Sequence, residues 1–120
     1  MTTQTFDNRG RLGQVLVLVM GEFGRTPRMN NGHNGKGTPG RDHWGRAISC
    51  LVAGGGVQGG RIVGATNANG EYPVKRPLKP ADLHATIYHV LGLDPTLRLL
   101  DPTGRPVSAV DHGAVIEELF

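Results

Sequence analysis

Two polar clusters in this chain have the residue types and spacing for chemistry. Glu22 stands directly after an apolar run, Val15 to Met20, VLVLVM. Open α/β sheets bind ligands beyond the carboxyl ends of their strands, so a carboxylate there can ligate a metal or act as a base. The plainer alternative is an ion pair with Arg25 or Arg28. Further on, Asp42-His43-Trp44 sets an imidazole, the commonest metal ligand, beside an acid. Asp42 can ligate with it or orient it from behind; alternatively, His43 is a loop histidine held by its neighbours. Glu22 and His43 bracket one polar loop, so an oxygen and a nitrogen donor can converge on one divalent cation. Two donors do not complete such a site, and the others must come from elsewhere. Arg25, in GEFGRTP, has the fork for bidentate contact with phosphate or sulfate oxygens, unless it neutralises Glu22.

Other candidates carry less. His33, in NNGHNGKG, is read as a solvated loop histidine. His84 and Tyr88 share a helix face at i, i+4, and with His89 are read as helix surface. Gly54, Gly56 and Gly59 satisfy G-x-G-x-x-G literally, but no helix pattern follows to hold a pyrophosphate. They are read as a glycine-lined bend. Asp111-His112-Gly113 matches a metal tripeptide of phosphatases and sulfatases, but no apolar strand precedes it, and a ligand role is not expected. Cys50 is the single cysteine. It excludes an internal disulfide and a thiolate cage, and its apolar surroundings predict a small buried side chain.

The elements that must position these groups are few. Val15–Met20 and Ala47–Ala53 are short, continuous apolar runs, which predict strands buried on both faces. Between them, residues 21–46 read as one long Gly- and Pro-rich loop, a length usually tied to function. Arg61–Thr66 and Glu71–Val74 predict a hairpin about Asn69-Gly70. Asp82–Leu91 is the best helix, with Leu83, Ile87, Val90 and Leu91 on one stripe and Gly92 as its stop. Residues 101–104 read as a turn, and 114–119 as a short last helix.

Bulk numbers set limits. The chain has 120 residues, with 19 Gly, 8 Pro and only 5% aromatics. Gly is more than twice its usual roughly 7%, and large rings that fill a small core are scarce. Net charge is +3, too mild for a nucleic-acid signature. The excess lies in the front half, which suits either an anionic ligand or a solvated loop. No apolar stretch is long enough to span a membrane, and the first residues hold no apolar signal core. Two interior parallel strands need crossovers and covering layers that a single helix cannot supply. The fold class expected is therefore α/β, the chain being either a fragment of a larger α/β domain or an obligate partner. Residues 1–120 would form a single, incomplete domain.

Taken together, VLVLVMGEFGRTP, GRDHWGRA, LVAGGGVQGGRIVGATNANGEYP, PLKPADLHATIYHVLGLDP and DPTGRPV resemble the C-terminal part of the domain-of-unknown-function family 1501. Those bacterial proteins are sulfatase-like and are placed in the alkaline-phosphatase-like superfamily. The resemblance implies part of a three-layer α/β/α sandwich with a mainly parallel sheet, and metal-dependent hydrolysis of sulfate or phosphate esters, or a non-catalytic, degenerate binding or structural domain that keeps that fold. It implies that Glu22 and His43 ligate a divalent metal (zinc, calcium or manganese). Asp42 would be a further or supporting ligand, and Arg25 an anion contact. Phe23 stands where the superfamily has a histidine, and a phenyl ring cannot ligate. The resemblance also implies a preceding segment of the same domain carrying the nucleophile, the remaining carboxylates and an export signal to the periplasm. Neither a nucleic-acid partner nor catalysis by the isolated 120 residues is expected.

Overall fold

The computed structural model describes residues 8–32 and 36–120, so His33 lies outside the described residues. Eight short strands and one α-helix follow in chain order: β1 (Val17–Val19), β2 (Gly24–Arg25), β3 (His43–Trp44), β4 (Leu51–Ala53), β5 (Ala65–Thr66), β6 (Pro73–Lys75), α1 (Pro80–Val90), β7 (Arg98–Leu100) and β8 (Pro106–Ser108). Single 3-10 turns occupy Leu12–Gln14 and Glu117–Leu119. The strands pair only two by two, β1 with β4, β2 with β3, β5 with β6 and β7 with β8. The last three pairs are antiparallel.

The expected α/β/α sandwich with a mainly parallel sheet is thus overturned. Among the described residues no sheet exceeds two strands, and no helical layers cover both faces of one. The two apolar runs do form β1 and β4, but three residues of each are paired. Val19 is 60% exposed and Leu51 55% exposed. A continuous apolar run is compatible with a strand covered on two faces, but does not enforce it. Cys50, expected to be buried, is exposed just before β4.

The chain divides into two compact units. The first comprises, among the described residues, 8–17, Ala53–Ile62 and Leu78–Phe120. Its centre is α1, which starts at Pro80, where a proline costs no hydrogen bond. Asp82 caps it, accepting from the Lys79 backbone N–H at 2.8 Å. The same carboxylate accepts from the Ala114 N–H at 3.0 Å. One turn on, the Thr86 hydroxyl donates to the Asp82 carbonyl at 2.7 Å and accepts from the Ile116 N–H at 3.0 Å. Ala85, Thr86 and Ile116 are the buried side chains of this contact. The segment after Asp111 thus lies against the small-residue side of α1. A Cβ at Gly113 would meet the Ala81 carbonyl oxygen at 2.2 Å, so only glycine allows this approach. Gly92, at φ 72°, ends the helix as expected.

The glycine-lined bend falls in the same unit. Gly54 has φ 76°, and a Cβ there would lie 2.2 Å from the Val15 carbonyl oxygen. No helix follows before Pro80, so the bend has no helix N-terminus for a pyrophosphate. The turn at 101–104 also forms, with Gly104 N–H donating to the Asp101 carbonyl at 2.9 Å. The flanking β7 and β8 were not legible as strands.

The second unit spans Leu18–Val52 and Val63–Pro77. The expected hairpin is present as β5–β6, closed by Gly70 N–H donating to the Asn67 carbonyl at 3.0 Å. The expected long loop is instead a zipped ribbon. Gly24 pairs with Trp44 and Arg25 with His43. Thr26 N–H donates to the Asp42 carbonyl at 3.0 Å, Asn30 and Gly40 form an antiparallel bridge, and Gly37 N–H donates to the Asn31 carbonyl at 3.1 Å.

Candidate functional site

The candidate groups meet at the root of this ribbon. Antiparallel pairing sets Arg25 directly across from His43. Phe23 lies against the imidazole, ring centroids 3.7 Å apart and planes inclined by 33°. The Arg25 guanidinium carbon sits 5.3 Å from the centre of the same phenyl ring. Arg25, Phe23 and His43 therefore form one stacked group. A ring packed on a face of imidazole leaves both nitrogens, whose bonding directions lie in the ring plane, open at the edge. Arg25 is also pinned by Nη1 donating to the Arg41 carbonyl at 3.3 Å. Its other N–H groups keep the planar fork that suits oxyanions.

Gly24 makes this approach possible. A Cβ there would fall 1.7 Å from the Ala47 carbonyl oxygen. Threonine and asparagine then fasten the ribbon. The Thr26 hydroxyl accepts from the Asp42 N–H at 3.0 Å and donates to the Arg28 carbonyl at 3.0 Å. Asn30 Nδ2 donates to Asp42 Oδ2 at 2.7 Å, while Asn30 Oδ1 accepts from Gly32 N–H. Asp42 is thus a fastener of the ribbon as well as the neighbour of His43. Trp44 is the link to β5–β6: its Nε1 donates to the Glu71 carbonyl at 2.6 Å. Glu71 is held in turn by Asn67, which donates to its Oε2 at 2.9 Å and accepts from its N–H at 2.7 Å. Arg46 lies over Trp44, 5.4 Å from the ring centre.

Glu22 is exposed in the bend that leads into β2, and His43 is exposed in β3. Among the described residues no group of three or more His, Cys, Asp or Glu side chains is gathered to hold a metal ion. The described residues therefore do not make up a complete cation site by themselves. His112, of the tripeptide in the tail, is exposed beside Asp111 at 3.3 Å, with φ 53°. His84 is exposed on α1, and His89 packs edge-on against Phe120 at 5.2 Å. Thr26, Asn30, Asn67 and Glu71 escaped the sequence reading. Their signal is weak: short polar side chains that bond nearby backbone and favour turns.

One unit holds the helix and the β7–β8 ladder, and the other holds the β5–β6 ladder and the β2–β3 ribbon, in which Arg25 stands across from His43 and both contact Phe23. A family model described as "Protein of unknown function (DUF1501)" matches residues 3–120. The chain belongs to that family. No curated protein and no solved structure matches it.

Proposed function

We propose that this chain contributes the anion contact, and part of the donor set for a divalent cation, to a sulfatase-like hydrolase of sulfate or phosphate esters. The observation that carries the reading is the Arg25–Phe23–His43 stack, fixed by the Arg25–His43 pairing. Arg25 would grip the ester oxyanion, with its guanidinium held on the Phe23 ring and the Arg41 carbonyl. His43 would present an open nitrogen edge, as donor to a cation or holder of a proton. Glu22 would add an oxygen donor, and Asp42 would steady His43 through the ribbon. The cation, zinc, calcium or manganese, would supply Lewis-acid polarisation of an ester oxygen. Since three donors are not gathered here, the remaining donors and the nucleophile would lie on a further segment of the same domain, exported with it.

The test is metal content and turnover in an intact family member that carries the same GEFGRTP and GRDHW segments. His43→Ala and Glu22→Gln should each lower bound metal, and Arg25→Lys should raise KM for an aryl sulfate or aryl phosphate by about tenfold. Unchanged metal content in the His43→Ala protein would remove His43 from the site. A second reading, a non-catalytic binding domain, is favoured by Phe23, which takes a ligand's place and stacks on His43 instead. Bound metal without turnover of either ester would decide for it.

A further inference from the structure

The β7–β8 hairpin leaves one of its two edges ready to pair. Arg98 stands opposite Ser108, Leu99 opposite Val107 and Leu100 opposite Pro106. Beyond the strands, Ala109 N–H donates to the Leu97 carbonyl at 2.8 Å and Asp101 N–H to the Arg105 carbonyl at 2.9 Å. Antiparallel ladders alternate bonded and unbonded pairs. Leu97, Leu99 and Asp101 therefore turn their backbone groups inward to β8, while Arg98 and Leu100 turn theirs outward. No bond among the described residues uses those outward groups. β7 is exposed along its whole length, Leu100 by 73%. The outer edge of β8 differs, because Pro106 has no N–H to offer there and blunts it.

We infer that the open edge of β7 binds the same edge of a second copy of this chain, antiparallel and with the two-fold axis at Leu99. The edge is its own complement in that register. Arg98 of each copy stands across from the partner's Leu100, and their outward N–H and C=O groups exchange four hydrogen bonds. Like charges are not opposed, and each arginine stem lies along the leucine across from it. On the other face, which lines a groove with Tyr88 and Leu93, Leu99 meets the partner's Leu99. Neighbouring residue-centred axes fail. An axis at Arg98 sets two guanidinium groups face to face. An axis at Leu97 or Arg98 also calls on Thr96, whose N–H is already bonded to Asp94 Oδ1 at 2.8 Å. An axis at Leu100 or Asp101 calls on Pro102, which has no N–H. A two-stranded ladder is marginal alone, and the pairing makes it a four-stranded sheet, β8–β7–β7–β8, closed by a two-fold axis. The inference uses none of the residues of the ester reading and stands apart from it.

The test is sedimentation equilibrium of the full 120-residue chain over a range of concentrations. The parent should show a reversible monomer–dimer equilibrium. Leu100→Pro removes two of the four intermolecular bonds while leaving the hairpin's own bonds, and should shift the chain to monomer. Leu100→Glu and Leu100→Lys change the same exposed position and separate register from folding. The first sets a carboxylate across from the partner's Arg98, and the second sets another cation there. The dimer Kd of Leu100→Lys should exceed that of Leu100→Glu by about tenfold at low salt, and the gap should close as salt rises. A parent chain that stays monomeric at every concentration would overturn the inference. So would a Leu100→Pro protein that dimerises as tightly as the parent, or equal Kd values for the Lys and Glu variants.

Discussion

Asp101 shows how much one carboxylate can organise at the surface. It accepts from the Thr103 hydroxyl at 2.6 Å and N–H at 2.8 Å, and from Arg105 N–H and Nε at 3.0 Å each. Arg105 Nη2 completes a two-pronged ion pair at 3.0 Å. These bonds, led by the Thr103 hydroxyl, favour the ionised form and lower its pKa from 3.8 to about 2. A depressed folded pKa stabilises above the ordinary carboxylate value, and that contribution is lost as pH falls toward about 2. An NMR titration should place the Asp101 midpoint near 2, and Asp101→Asn should remove the matching acid dependence of hairpin order; a midpoint near 4 would contradict the assignment. Asp94 is lowered in the same direction through Thr96. A second prediction at this scale concerns Gly24. Gly24→Ala drives a methyl into the Ala47 carbonyl. It should destabilise the ribbon by roughly 1–3 kcal/mol, read as faster amide exchange at Thr26 and Asp42, whose N–H groups are bonded across the ribbon.

At the scale of elements, α1 depends on two side chains that reach out of the helix. Thr86→Val preserves shape but leaves the buried Ile116 N–H without its acceptor, at a cost of about 1–3 kcal/mol. A denaturant melt should resolve that loss, whereas the exposed His84→Ala should fall within about 0.5 kcal/mol of the parent. Elements with a local cause were legible in the sequence. Asn69-Gly70 announced β5–β6, Gly92 announced the end of α1, and 101–104 announced its turn. The ribbon was not legible, because Thr26 reaches Asp42 and Asn30 reaches Gly40 across the intervening loop with no periodic pattern. The apolar stripe of α1 also misled in part. Ala85 and Thr86 are its buried residues, since the 113–116 segment comes close enough only to small side chains. Glu22, His43, Asp42 and Arg25 were all legible as residues, but their geometry was not. The Phe23 stack that fixes His43 depends on cross-strand register, which no local signal in 21–46 specified.

For the molecule as a whole, the ledger of burial is short. Ala85 and Ile116 are the buried hydrophobic residues among those described, while Leu91, Leu97, Leu99, Leu100 and Val107 are exposed. Five per cent aromatics foreshadowed a small core. Little buried apolar surface means little hydrophobic stabilisation. The 120-residue chain should bind a hydrophobic dye at neutral pH and melt over a broad range. Leu99→Lys with Leu100→Lys should cut dye binding by more than half. A sharp calorimetric transition without dye binding would contradict this view. The parallel-sheet expectation failed at the same scale: apolar runs report a preference for burial, not the presence of the layers that would provide it. Among the described residues no helix is long and apolar enough to cross a membrane.

Trp44 is the sole indole in the chain, bonded to the Glu71 carbonyl and overlaid by Arg46. Its emission therefore comes from one place, the junction where the ribbon meets the β5–β6 hairpin. Loosening of that joint, by heat, acid or a ligand that draws Arg46 away, should register as a change in the colour and intensity of the protein's own light. The molecule thus contains its own optical gauge, placed one residue from His43.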